Sequence, residues 1–141
     1  MPANTIPIFT LNGNFFPVRI TSGNTGSDGS GNLFTVVTGG TNGTRVDGVR
    51  FRNAALASTT SSATQHKIFL TDTNGLSPRL VGEVATAAGA TRATATNIGA
   101  TSIYTFDQPL ILQPGQLLRV SQSFYASVND QFDACAFAGD Y

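Results

Sequence analysis

The stretch Thr44-Arg45-Val46-Asp47-Gly48-Val49-Arg50-Phe51-Arg52-Asn53-Ala54 carries the clearest alternation in the chain. In a β-strand, side chains two residues apart share a face. On that period Val49 and Phe51 point one way, with Asp47 and Arg45 on the same parity, and Arg50 and Arg52 point the other. A run with one apolar and one charged face is the pattern of a strand buried on one side.

The same period recurs on both sides of it. Residues 33–38, 65–71, 79–86, 102–106, 117–125 and 131–141 all read as strands. In residues 65–71, Ile68 and Leu70 define one direction and Phe69 lies on the opposite face. Turn signals separate the strands. Asn12-Gly13, Asn42-Gly43 and Asn74-Gly75 read as hairpin turns. Pro114-Gly115 supplies the fixed φ and the positive φ of a type II turn. Residues 21–32 and 58–64 are polar loops, and the Ala/Thr-rich residues 85–95 also read as a loop, since Thr and Gly89 interrupt them and no apolar stripe at helical spacing is present. About eight strands spaced by turns predict an all-β fold, a β-sandwich of jelly-roll type.

The N-terminal part reads differently. Residues 6–11 and 15–20 are apolar, but Pro2, Pro7 and Pro17 punctuate them. Proline has no N–H to give a ladder and is confined to edges. Residues 1–17 are therefore expected to form an extended arm or edge segment, and residues 18–141 a single sandwich domain. Ile6, Ile8, Phe9, Phe15 and Phe16 are too apolar for a free tail, which makes them the candidate partner-binding residues.

Composition narrows the function. The chain has 141 residues, enough for one domain with a core that needs no disulfide. Charged residues make up 11%, against about 25% in an average domain. Such a polar but charge-poor surface suits packing against other copies. Eight basic and eight acidic side chains leave no electrostatic footprint for nucleic acid. No apolar run is long enough for a transmembrane helix, and the first residues lack the pattern of a secretory leader. Synthesis in the cytoplasm is the expectation.

Chemistry finds little to use. Cys135, the one cysteine, lies between Ala134 and Ala136 and reads as a small buried hydrophobe. His66, the one histidine, sits beside Lys67 and reads as a surface or loop-proximal side chain. One histidine cannot build the multi-histidine metal sites known in this fold class, and a Ser-His-Asp triad would need His66 as its base. Asp28, Asp72 and Asp130 stand in turn contexts, where aspartate is favoured for local reasons. No catalytic, cofactor or metal site is expected, and the chain reads as a non-enzyme.

Several segments, taken in order, resemble a known group. They are Ala3-Asn4-Thr5-Ile6-Pro7-Ile8, then Asn42-Gly43-Thr44-Arg45-Val46-Asp47 with Val49 and Phe51, and His66-Lys67-Ile68-Phe69-Leu70-Thr71-Asp72. Leu112-Gln113-Pro114-Gly115-Gln116-Leu117-Leu118-Arg119-Val120 and Phe137-Ala138-Gly139-Asp140-Tyr141 follow. Together they resemble the decoration, or cement, proteins of tailed-phage capsids. The resemblance implies a β-sandwich assembled as a homotrimer on the outer capsid surface of the virion. Its partners would be the major capsid protein and itself, and its task would be to bridge neighbouring capsomers and stabilise the shell. The long 21–32 loop and the 85–101 segment depart from that pattern. The alternative is a glycan- or receptor-binding module of a phage fibre, which would want exposed rings for stacking; the chain has no tryptophan and three tyrosines. A capsid shell subunit ranks last, because the chain is short for one.

Overall fold

The computed structural model describes residues 12–14, 17–55, 60–90 and 99–141. Eleven short and long strands and one 3-10 turn are described in them: β1 (Asn12–Gly13), β2 (Val18–Ile20), β3 (Phe34–Thr38), β4 (Thr44–Asn53), β5 (Thr60–Ser61), β6 (Thr64–Thr71), β7 (Arg79–Thr86), β8 (Gly89–Ala90), β9 (Thr101–Leu112), β10 (Leu117–Gln122) and β11 (Phe132–Asp140), with the 3-10 turn at Val128–Asp130.

The strands form two antiparallel sheets. In the first, β11 pairs with β1 and β2 on one side and with β4 on the other, and β4 pairs with β9. The second runs β3-β10-β6-β7. A two-residue ladder of β5 and β8 stands apart. Apart from the three two-residue strands, the pairing is nested: β2 with β11, β3 with β10, β4 with β9, β6 with β7. The protein is therefore an all-β sandwich, and its strand order is compatible with a jelly-roll winding.

Between the sheets lies one core of Ile20, Val36, Val37, Val46, Val49, Phe51, Ile68, Leu112, Leu118, Val120 and Phe132, closed over by Ala134 and Ala136. The alanines of β11 fit because that strand is central, between β2 and β4, where large rings from Phe51 and Phe132 already fill the space. Tyr104 seals the side where β7 approaches β9. Its hydroxyl donates to the Val81 carbonyl at 3.3 Å, and its ring occupies the place a side chain at Gly82 would take.

Several sequence expectations are corrected. Asn12-Gly13 is not a turn but an edge strand, paired with Asp140 and Gly139. Asn42-Gly43 and Pro114-Gly115 do turn the chain, but they carry it from one sheet to the other and do not close hairpins, since β3 and β4, like β9 and β10, lie in different sheets. Gly115 has φ 79° and Gln116 N donates to Gln113 O at 3.0 Å, as a type II turn requires. Only Asn74-Gly75 sits in a true hairpin, between β6 and β7. The polar 58–64 stretch contributes Thr60–Ser61 to a ladder with Gly89–Ala90, so part of the expected 85–95 loop is strand as well.

The deciding strand itself holds a correction. Asp47 does not share a face with Val49 and Phe51. Thr44 and Val46 point inward, Arg45 and Asp47 outward, and then Val49, Phe51 and Asn53 point inward. A β-bulge reverses the parity: Ala138 pairs with Val46 while its neighbour Phe137 pairs with Gly48, leaving Asp47 as the extra residue. Glycine is required there by contact, because a side chain at Gly48 would run into the Tyr104 carbonyl oxygen.

Candidate interaction face

The two outer faces of the sandwich are treated differently. On the second sheet, Phe69 of β6 points away from the core and is nevertheless fully buried. The loop of residues 21–32 packs against it, with Gly29 beside the ring and Pro78. A Cβ at Gly29 would strike the Pro78 ring, so the bare glycine lets the loop pack down. Lys67, on the same face, latches the loop. Its ammonium donates to Thr25 O at 2.8 Å, Gly26 O at 3.3 Å and Ser27 Oγ at 2.9 Å, which uses all three of its protons. Arg119 adds a bond from Nη2 to Leu33 O at 2.8 Å. The loop is also tied to itself: Asn24 Nδ2 donates to Ser30 O and Asn32 O, and Asp28 accepts from the Ser30 amide and hydroxyl. Those Ser30 bonds hold the Asp28 carboxyl below its ordinary pKa.

Among the described residues, no segment covers the outer face of the first sheet in this way. Across its middle runs a row of cross-strand neighbours, Cys135 on β11, Arg50 on β4 and Ile103 on β9. The next row is Arg19, Asp133, Arg52 and Thr101. Phe137 stands above the first row, opposite Gly48. Ile103 is 53% exposed and Phe137 43%. Arg19 is paired with Asp133 at 2.9 Å and Arg45 with Asp47 at 2.9 Å. Arg50 and Arg52 are half-buried, and among the described residues neither has a carboxylate within ion-pair distance. All eight carboxylate side chains of the protein lie among those residues. The Nε of Arg52 is buried without a hydrogen-bond partner. Cys135 is thus half-buried on an outer face, not a core residue as its alanine neighbours suggested.

His66 is the second correction. It is not at the surface but fully buried in the core. Its ring is stacked on Phe51, centroids 4.2 Å apart and planes within 6°, and meets Phe132 edge-on at 4.7 Å. Burial pushes its pKa down to about 3, so the neutral imidazole is the core species at neutral pH. A histidine walled in by two phenylalanines is not presented as a base or a metal ligand. Among the described residues no group of three or more His, Cys, Asp or Glu could hold a metal ion.

Two further polar clusters are structural. Asn14 joins the sheets: its Nδ2 donates to Thr38 O at 2.9 Å and to Asp140 Oδ1 at 2.7 Å, and Asp140 also accepts from the Thr44 hydroxyl. A pocket of about 460 Å³ opens beside it, lined by Gly13, Asn14, Val36, Thr38 and Asp140 among others. Asp130 ends the 3-10 turn in a capping box with Ser127. Burial works to raise its pKa, but bonds from the amides of Ser62 at 2.8 Å, Ala126 at 3.0 Å and Ser127 at 3.3 Å leave the carboxyl below its ordinary value.

The sequence-based partner residues Ile6, Ile8, Phe9, Phe15 and Phe16 lie outside the described residues. The face centred on Arg50 was not selected from sequence. Its signal was present in the parity of Arg50 and Arg52 opposite Val49 and Phe51, but nothing in the sequence told which outer face would be left bare. No family model, curated protein or solved structure matches the chain.

Proposed function

We propose that this protein is a structural component of a tailed-phage virion, which decorates the outer surface of the capsid and bridges neighbouring capsomers. One observation carries the reading beyond the sequence resemblance: among the described residues, the 21–32 loop buries Phe69 and Lys67 on the outer face of the second sheet, leaving Leu80 of β7 partly exposed there, and no described segment covers the outer face of the first. Phe69 and Lys67 are buried under residues 21–32, while Ile103 and Phe137 stand exposed on the first sheet. A large apolar side chain left in water forgoes roughly 1.5–3 kcal/mol relative to burial, which a docked partner supplies. The partners in this reading are the major capsid protein and further copies of the chain, arranged as a homotrimer. Three weak footprints on one rigid trimer give an avidity that none has alone, and a cyclic trimer matches a three-fold position on a shell. In this reading the protein binds and performs no chemistry.

The test is sedimentation. Shells assembled from the phage's major capsid protein alone are mixed with the purified chain and pelleted. The chain is expected in the pellet at a saturating ratio, and a trimer mass is expected by light scattering of the free protein. A chain that stays in the supernatant at micromolar concentration contradicts the reading.

A further inference from the structure

We infer that the bare face of the first sheet recognises a carboxylate-bearing protein surface, through Arg50 and Arg52 set on the apolar platform of Ile103, Cys135 and Phe137. The inference rests on the decoration reading for its setting and adds the chemistry of the partner. Two other cations of that face are already matched, Arg19 by Asp133 and Arg45 by Asp47. Asp133 is also the cross-strand neighbour of Arg52, but its two oxygens accept from Arg19 Nε and Nη2 at 2.9 and 3.2 Å. Every other carboxylate but Asp107 has bonds elsewhere among the described residues, to Asn14 and Thr44, Ser30, Asn74, Gln65 or Ser62. Two guanidiniums are thus held half-buried on β4, with no carboxylate of the described residues within ion-pair distance.

A fork of guanidinium N–H groups matches a carboxylate in two bonds. Arginine beside exposed aromatic and aliphatic side chains is also the composition of interface centres. Charge complementarity therefore specifies aspartate or glutamate on the partner. A polyphosphate ligand is disfavoured by the flanking apolar side chains of Ile103 and Phe137, which would be left against a fully hydrated polyanion.

Three variants of the full chain test it: Arg50→Glu, Arg52→Glu, and Arg79→Glu as a control of equal charge change on exposed β7, away from the face. Thermal melts show which remain folded, and Ile103→Asp, at an exposed position, provides a second probe of the face if Arg52→Glu unfolds. Each is assayed by sedimentation with the capsid shells and by retention on immobilised poly-glutamate and on immobilised double-stranded DNA. Shell binding is expected to fall at least tenfold for Arg50→Glu and Ile103→Asp, while Arg79→Glu binds like the parent. If the parent and all face variants pellet equally, the inference is overturned while the decoration reading stands. If the parent itself does not pellet, the decoration reading fails. The face is then judged on poly-glutamate: retention lost with Arg50→Glu and kept with Arg79→Glu supports it, and equal retention of both, or stronger retention on DNA, overturns it.

Discussion

His66 lies flat against Phe51, with ring centroids 4.2 Å apart and planes within 6°. The protein has therefore placed its one histidine where an aromatic hydrocarbon would serve, between Phe51 and Phe132, and holds it neutral. The consequence is a stability that depends on pH. In the unfolded chain His66 takes up a proton as pH falls below the ordinary value of 6.5; in the folded protein burial delays uptake until about 3. Acid therefore favours unfolding throughout that window.

The first prediction is a loss of about 1.4 kcal/mol per pH unit below 6.5, measured by urea denaturation at successive pH values between 6.5 and 4.5. His66→Phe is expected to flatten that slope, whatever it does to stability at pH 7. An unchanged slope in the variant means that another group sets the acid sensitivity.

Asp130 acts in a different window. Its folded pKa is depressed, so its contribution is complete above the ordinary carboxylate range and disappears as pH falls through the folded value. Asp130→Ala strands the amides of Ser62, Ala126 and Ser127. A loss of about 1–3 kcal/mol at neutral pH is expected, with a smaller one for Asp130→Asn, both read from urea midpoints. A neutral alanine variant contradicts the assignment of this carboxylate as the anchor of residues 126–130.

Lys67→Met keeps the aliphatic stem and removes the latch on the 21–32 loop. Limited proteolysis with a protease of broad specificity is expected to cut within residues 21–32 of the variant at least tenfold faster than in the parent. Stability should fall by about 1–3 kcal/mol, because the loop carbonyls lose their donors. Equal cutting rates would show that Phe69 and Pro78 hold the loop without the ammonium.

Gly48→Ala tests the bulge. A methyl there meets the Tyr104 carbonyl oxygen with no flexible atom to yield, so a cost of about 1–3 kcal/mol is expected from overpacking. A thermal midpoint equal to that of the parent would mean that β4 and β9 separate at this point without penalty.

The sandwich was legible because strand period and turn chemistry agree along most of the chain. Phe51 inward with Arg50 and Arg52 outward, and Pro114-Gly115 as a turn, follow from two-residue spacing and fixed φ alone. The bulge at Asp47 was not read, although Gly48 between the out-of-phase Val46 and Val49 is a mark of one; which residue is the extra one appears only against the partner strand. His66 misled for another reason, and the role of Lys67 went unread for the same one. Each is polar and each is buried, His66 between aromatic rings and Lys67 under a loop that supplies three oxygens. Those contacts join residues far apart in sequence, and no local pattern announces them. Which outer face the described residues leave uncovered followed from the same loop, so the candidate interaction face could not be chosen before the fold was known.

The most direct measurement is an electron cryomicroscopy reconstruction of the capsid shells saturated with the purified chain. The account predicts density for the sandwich on the outer surface, bridging capsomers, with β4, β9 and β11 turned toward the shell, Arg50 beside carboxylates of the capsid protein and the 21–32 loop turned to solvent. Shells without added density, or a chain seated with the loop-covered sheet inward, would contradict it.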